Sequence, residues 1–146
     1  MWALLLVPMA FAQIEGRWLS EDKDGEVLVY KEGSKWYGRL VRAKLNKDTN
    51  NLDLENPDME EHSKSLVGKV IVKDMKKDGK EWSGGTVYDP KSGKTYEGKM
   101  WRDGDNLKLR GFVGMPVFGR SSTWTPLKEG EVGVQGEVME EKTPTP

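Results

Sequence analysis

The stretch that decides the fold is DGKEWSGGTVYDPKSGKTYEGKMWRDGDNLKLRGFV, residues 78 to 113. In three segments, 81–88, 94–102 and 106–113, apolar residues tend to recur at alternate positions. Turn-forming residues separate the segments, from Asp89 to Gly93 and then in Asp103-Gly104-Asp105. Alternation is typical of β-strands, and Asp-Gly between such segments is a strong hairpin signal. The stretch therefore predicts three antiparallel strands joined by short turns.

The same pattern extends outward from this stretch in both directions. Five further strands are predicted at 16–21, 26–31, 35–43, 69–74 and 117–125. Consecutive hairpins form a meander, and an open meander of this size would leave two exposed edge strands. Closing the sheet removes both edges. We therefore predict an all-β fold, an eight-stranded antiparallel up-and-down barrel spanning residues 13–127 as one domain.

Composition restricts the classes of function. The chain has 146 residues, a formal net charge of −1 and no cysteine. A charge near zero gives no global attraction for nucleic acid, so no nucleic-acid partner is expected. Without cysteine there are no disulfides, thiol nucleophiles or thiolate metal ligands. Six tryptophans supply core material, or a lining if the barrel is hollow.

The two ends of the chain differ from the barrel sequence. Residues 2–12 are apolar and end in Ala10-Phe11-Ala12, a small-x-small pattern that predicts a signal peptide over 1–12. This predicts a periplasmic or secreted protein with no integral membrane segment after cleavage. Residues 129–146 carry five glutamates and one lysine and lack aromatic residues. An acidic tail, disordered over 128–146, is therefore predicted.

One long connection, residues 44–68, interrupts the meander. Loops of this length in compact domains are often lids or binding loops. Within it, Asn56 is a suitable helix N-cap and Pro57 a suitable first helical residue. These residues predict a short helical turn near 57–63. We expect the loop to gate one mouth of the barrel.

Motifs for catalysis are weak. Gly93-Lys94-Thr95 resembles the end of a phosphate-binding loop, but Tyr88 occupies the position where that loop needs glycine. His62, the single histidine, lies in a polar stretch and is expected to be solvated. No metal site, no cofactor and no enzymatic activity are therefore predicted.

Alternation assigns side chains to faces and selects residues for a barrel interior. Trp82, Gly84, Thr86 and Tyr88 are predicted to share one face. Arg120 falls between Phe118 and Trp124 on one face, which is unusual for a solvated face. The residues selected as ligand-binding candidates are Trp36, Trp82, Tyr88, Tyr96, Arg110, Phe118, Arg120 and Trp124.

Gly16-Arg17-Trp18 opens the first strand and resembles the Gly-x-Trp signature of lipocalins. In that family the tryptophan closes one end of the barrel and stacks under an arginine from the last strand. The resemblance implies a barrel-closing role for Gly16, Trp18 and Arg120, with Arg110 as the alternative arginine.

Residues 16–125 also resemble a bacterial family of small exported proteins catalogued as domain of unknown function 2147. The resemblance is carried by GRWLSEDKDGEVLVYKEGSKWYGRLV, NPD, WSGGTVYDPKSGKTYEGKM and LKLRGFVGMPVFGRSSTWTPL. It implies an exported lipocalin-like barrel and brings no established activity. Many members carry two cysteines where this chain has Glu32 and Tyr37, and their Arg-Ser-Arg-Pro reads His62-Ser63-Lys64-Ser65 here.

Two functions remain open. The barrel could bind a small, partly apolar and anionic ligand, a hydrophobic small molecule or a lipid, with Arg110 or Arg120 holding the anionic group. Alternatively, a filled barrel could serve as an envelope structural or stress-related interaction protein without a ligand. An eight-stranded barrel permits either interior.

Overall fold

A computed structural model describes residues 13–45 and 50–134 and the backbone of residues 137–138. The predicted signal peptide, residues 1–12, lies outside the described residues, as does the end of the predicted acidic tail.

Nine strands are found in this part of the chain. They are β1 (Gly16–Leu19), β2 (Gly25–Glu32), β3 (Lys35–Ala43), β4 (Val70–Asp78), β5 (Glu81–Asp89), β6 (Lys94–Asp103), β7 (Asn106–Phe112), β8 (Arg120–Leu127) and β9 (Glu137–Val138).

The first eight strands close into a barrel. Each consecutive pair from β1 to β8 is antiparallel, and β8 pairs back onto β1 through Arg17–Leu127, Trp18–Pro126 and Leu19–Thr125. β9 adds two residues to the end of β3. The predicted eight-stranded up-and-down barrel is confirmed, and closure leaves β1 to β8 without a free sheet edge along the paired segments.

Every predicted element except β3 differs from the structure at one end or both, and β8 and the helical turn are two examples. β8 begins at Arg120, not at 117, because Pro116–Phe118 forms a 3-10 turn before the strand. The helical turn in the long loop is a 3-10 turn over Met59–Ser63. Its N-cap is Asp58, whose side chain accepts a hydrogen bond from the backbone N–H of Glu60, so the sequence placed the cap two residues too early.

Strand direction gives the barrel two distinct ends. The turns at 33–34, 79–80 and 104–105 lie at one end, which we term the closed end. The turns at 20–24 and 90–93, the loop 113–119 and the described parts of the long loop, 44–45 and 50–69, lie at the other, the open end. Arg102 Nη1 donates a hydrogen bond to the carbonyl oxygen of Gln13, which fixes the start of the described chain at the closed end.

Large side chains fill the closed half of the barrel. The rings of Trp36 and Trp82 meet edge to face with centroids 6.1 Å apart. Trp36 Nε1 donates to Glu15 Oε1 at 2.8 Å, and Trp18 Nε1 donates to the carbonyl oxygen of Ile14 at 2.9 Å. Buried aliphatic and methionine side chains complete this core, among them Val29, Met75, Met100 and Leu107.

The arginine that stacks on Trp18 is Arg102 of β6. Its guanidinium carbon lies 5.3 Å from the centre of the Trp18 ring. The expectation that Arg120 or Arg110 closes the barrel is therefore wrong. Both belong to the open-end parts of β8 and β7, whereas Arg102 lies one residue before the end of β6, at the closed end.

A β-bulge in β5 reverses the predicted side-chain faces. Gly84 has φ +80°, and the register with β6 shifts between Ser83 and Gly85. The extra residue moves every later side chain to the opposite face. Trp82 and Tyr88 therefore lie on different faces, not on the single face that uninterrupted alternation predicts.

The segment that follows β8 packs on the outside of the barrel. Glu26 is buried, and its carboxylate accepts hydrogen bonds from the backbone N–H groups of Gly133 and Val134 and from Arg17. Arg17 also donates to the carbonyl oxygen of Lys128 at 2.7 Å. The sequence predicts disorder from residue 128, yet 128–134 lie against the wall because a buried carboxylate orders them.

Candidate functional site

The open half of the barrel contains a cavity of about 470 Å³. Aliphatic side chains from several strands form its walls, together with Tyr96 and Trp124. The aliphatic wall residues are Val27, Leu40, Ile71, Val87 and Leu109. The barrel is thus filled at one end and hollow at the other.

An ion pair crosses the mouth of this cavity. Lys91, in the turn between β5 and β6, places Nζ 2.8 Å from both Asp22 Oδ2 and Asp24 Oδ2. Those aspartates belong to the turn between β1 and β2, on the opposite side of the barrel in the strand order. Hydrogen bonding to Asp22 and then to Asp24 raises the pKa of Lys91, and Lys91 lowers the pKa of Asp22. The two turns are therefore latched across the opening.

Arg120 stands at the rim of the cavity, close enough for its charge to help lower the pKa of Asp22. It borders the cavity and is exposed to solvent. Among the described residues, none forms a hydrogen bond or ion pair with its guanidinium. A guanidinium offers a planar fork of donors that matches a carboxylate or phosphate. Arg120 could therefore bind an anionic group of a molecule seated in the cavity.

Arg110 has a different role. Its Nε donates to the carbonyl oxygen of Pro116 at 2.6 Å, and its Nη1 donates to Ser121 Oγ at 2.8 Å. It lies on the face of β7 opposite Leu109, which lines the cavity. Arg110 holds the loop 113–119 in place from outside the barrel.

Residues 50–69 of the long loop form a strap along the outer wall at the open end. Asp53 is 1% exposed and accepts hydrogen bonds from Tyr88, Lys69 and Asn56. Burial disfavours the charged form of Asp53, but these donors outweigh it and lower its pKa. Burial and the Asp53 carboxylate both raise the pKa of Tyr88. The strap is thus fixed to β5 by one buried carboxylate.

Gly93 allows the strap to reach the turn between β5 and β6. Its φ is +73°, and a Cβ at this position would lie 1.8 Å from the carbonyl oxygen of Glu55. Any side chain here would collide with the backbone of the strap. The Gly93-Lys94-Thr95 sequence therefore serves close backbone packing.

The single histidine also belongs to the strap. His62 Nε2 lies 2.7 Å from the carbonyl oxygen of Asn56, which closes the loop around the 3-10 turn. Across residues 13–45 and 50–134, no group of three or more histidine or acidic side chains is arranged to hold a metal ion.

A model of the family DUF2147, described as an uncharacterized protein conserved in bacteria, matches residues 16–126. The chain belongs to this family. Among curated proteins, none matches the chain.

The barrel of this DUF2147 protein is similar to a solved structure. That structure is described as protein HP1028 from the human pathogen Helicobacter pylori, which belongs to the lipocalin family. The TM-score is 0.71 at 20% identity, over 81% of this chain and 85% of the other. The similarity establishes a lipocalin-like fold. In the described part of the chain, no helix has the length and apolar character needed to cross a bilayer.

The cavity brings together five of the eight residues selected from the sequence of this DUF2147 member. Tyr88, Tyr96, Phe118, Arg120 and Trp124 border it. The hydroxyl of Tyr88 is nevertheless held by Asp53 of the strap. Trp36 and Trp82 lie instead in the closed-half core, and Arg110 lies outside the barrel.

Sequence reasoning missed the latch and the aliphatic walls. Asp22 and Asp24 lie between the first two predicted strands and Lys91 lies in a predicted turn, and none of the three was selected as a site residue. Nothing in the local sequence shows that two turns about 70 residues apart face each other across an opening; that follows from closure of the barrel. Ile71 and Leu109 lie in predicted strands. The alternation of apolar residues along those strands was the signal that could have identified them as wall residues.

Proposed function

We propose that this DUF2147 protein binds a small, partly apolar molecule with an anionic group in the open-end cavity, without chemical turnover. One observation carries the proposal: a cavity of about 470 Å³ with aliphatic and aromatic walls has an unpaired arginine at its rim. Ligand pockets commonly combine apolar walls with a few polar groups that fix orientation. The lipocalin-like fold supports a binding barrel of this kind.

The walls and the rim would contribute different terms to affinity. Burying apolar ligand surface against Val27, Ile71 and Leu109 would contribute roughly 25 cal/mol per Å². Arg120 would select for the anionic group through a charge-assisted hydrogen bond. The ligand would therefore lie with its apolar part inside and its charged part at the mouth.

We also propose that the protein works outside the cytoplasm, in the periplasm or as a secreted protein. The apolar segment 2–12 and its Ala10-Phe11-Ala12 ending support this proposal. Fractionation of cells that express the full chain, with N-terminal sequencing of the product, would test it. A cytoplasmic product that begins at Met1 would contradict it.

Native mass spectrometry of protein purified without detergent, followed by titration with an apolar fluorescent dye, would test binding. The variant Ser122→Phe would place a large ring in the cavity, since Ser122 lines it. Thr125→Phe is the matched control, because Thr125 is exposed on the same strand and does not border the cavity. We expect Ser122→Phe to abolish dye binding and Thr125→Phe to leave it unchanged.

A second titration separates the rim from the walls. Fatty carboxylates and the corresponding neutral alcohols would be compared on Arg120→Gln and Arg110→Gln. Arg120→Gln should weaken carboxylate binding and leave alcohol binding unchanged. Arg110→Gln should mainly loosen the loop 113–119. If no compound binds, and only stability changes with these arginines, the alternative of a structural or stress-related interaction protein is favoured.

A further inference from the structure

The loop between β7 and β8 exposes a cluster of apolar side chains at the mouth. We term residues 113–118 the apolar loop. Val113, Met115, Val117 and Phe118 are 71%, 61%, 70% and 77% exposed. From Phe112 to Gly119 the sequence FVGMPVFG has no polar or charged side chain. Large exposed apolar groups concentrated in one loop indicate an interaction surface.

The backbone of the apolar loop forms some of its hydrogen bonds internally. Met115 N–H donates to the carbonyl of Val113, and Phe118 N–H donates to the carbonyl of Met115. The carbonyl of Pro116 accepts from Gly119 N–H and from Arg110. Each backbone group that is paired internally lowers the cost of moving the loop out of water.

Cations flank the apolar loop on both sides. Arg110 precedes it on β7, and Arg120 follows it at the start of β8. On the opposite rim, Lys91 bridges Asp22 and Asp24 and balances one of their two negative charges. Apolar side chains at a loop tip with arginines beside them match a phospholipid surface, where acyl chains meet phosphates.

We propose that the apolar loop inserts into the surface of a phospholipid bilayer and brings the cavity mouth against it. Val113 and Phe118 belong both to this loop and to the cavity lining. The surface that docks is therefore continuous with the cavity. An apolar ligand could then pass between bilayer and barrel without crossing water. The docking proposal in this form rests on the proposed function and adds the source of the ligand to it.

The small size of the apolar loop favours a bilayer over a protein partner. A stable protein interface buries about 800 Å² on each side, with 20 to 30 residues. The apolar loop offers four exposed apolar side chains on a short connection. Shallow insertion into lipid requires only such a tip.

Co-sedimentation with vesicles of phosphatidylcholine, with and without phosphatidylglycerol, tests the proposal on the full mature chain. The test variant is Met115→Ser with Val117→Ser, two exposed residues that do not line the cavity. The control is Leu54→Ser with Met59→Ser, which removes two exposed apolar side chains, 41% and 79% exposed, from the long loop.

We expect the test variant to lose roughly tenfold or more in vesicle affinity, because the inserted methylene groups are removed. The control variant should bind like the wild type. The proposal is overturned if the wild type does not sediment with either kind of vesicle. It is also overturned if the test variant and the control variant have the same vesicle affinity. Arg120→Gln should weaken binding mainly to vesicles that contain phosphatidylglycerol.

Dye titration without vesicles separates this proposal from the proposed function. If the test variant binds dye normally and loses vesicle binding, docking and ligand binding are distinct properties. If the wild type binds vesicles but no dye or carboxylate, the docking proposal stands and the ligand proposal fails. If it binds dye but no vesicles, the reverse holds. Urea unfolding of each variant identifies any loss that comes from misfolding.

Discussion

The two ends of this barrel are built by different means. At the closed end, Trp18, Trp36 and Trp82 fill the interior, and Arg102 stacks on Trp18. At the open end the interior is hollow, and polar contacts on the rim and outer wall hold the structure. The same strands pass through both halves. One sheet thus forms a packed core at the closed end and a cavity at the open end.

The largest expected difference in stability between the two ends concerns two leucines on β7. Leu107 lies in the closed-half core, and Leu109, two residues on, lines the cavity. Leu107→Ala should lower the free energy of unfolding by about 3 to 4 kcal/mol, because it opens a void in a packed core. Leu109→Ala should cost only about 2 kcal/mol, since its side chain faces existing space. Urea unfolding measures both, and equal losses would contradict the contrast.

A substitution in the strap would test whether polar contacts stabilise the open end. Asp53→Asn should lower the free energy of unfolding by about 2 kcal/mol at pH 7, because Lys69 loses its buried carboxylate partner. The matched control is Asp105→Asn, an exposed turn residue at the closed end, which should have little effect.

The same carboxylate predicts a pH dependence. The pKa of Asp53 in the folded protein lies below its ordinary value of 3.8, so its stabilisation is complete above that value. It is lost as the pH falls through the folded pKa. Wild-type stability should therefore drop more steeply below pH 4 than that of Asp53→Asn. Parallel curves in acid unfolding would show that Asp53 does not contribute.

The two ends can be compared directly through one arginine at each end, Arg102 and Arg120. Arg102→Met should cost about 1 to 2 kcal/mol, because it removes the contact with the Trp18 ring and hydrogen bonds to Gln13 and Gly104. Arg120→Met should change stability by about 0.5 kcal/mol or less, as expected for an exposed side chain without partners. Thermal unfolding of the pair is sufficient. A larger loss for Arg120→Met than for Arg102→Met would show that Arg120, not Arg102, is the arginine that stabilises the barrel.

The latch should have only a small effect on stability. Lys91→Met removes an exposed ion pair and should cost less than about 1 kcal/mol. It should instead speed release of bound dye severalfold, because the turns across the mouth are no longer joined. Stopped-flow displacement measures this rate. Lys94→Met, on an exposed neighbour outside the latch, is the control.

Acid should release the same latch in the wild type. Lys91 holds the pKa of Asp22 below its ordinary value of 3.8, so the pair persists above that pH and is lost as the pH falls through the lowered value. Dye release from the wild type should then approach the rate of Lys91→Met. A rate that stays constant over the pH range in which Asp22 becomes protonated would show that the latch does not gate the cavity.

The sequence predicted the barrel because the fold depends on local signals. Asp-Gly turns and alternation placed all eight barrel strands, and β3 was placed at its observed bounds. The faces after Gly84 were wrong, because a bulge adds one residue and leaves little mark in the alternation.

The site could be predicted only in part. Arg120, Phe118 and Trp124 were recognised because an arginine between aromatic residues is visible in the sequence. The partner of Trp18 was assigned wrongly, because its identity depends on how far β6 extends toward the closed end. Glu26 and Asp53 were not recognised as buried anchors, since burial of a carboxylate follows from segments distant in the chain.

The position of Gln13 has a practical consequence. Arg102 holds this residue at the closed end, while β9 pairs with Arg42 and Ala43 at the open end. The described chain therefore enters the barrel at one pole and leaves it near the other. Immobilised through an N-terminal handle, the protein would present its mouth to solution. A bulky domain fused directly after Val138 would stand beside the mouth and compete with whatever approaches it.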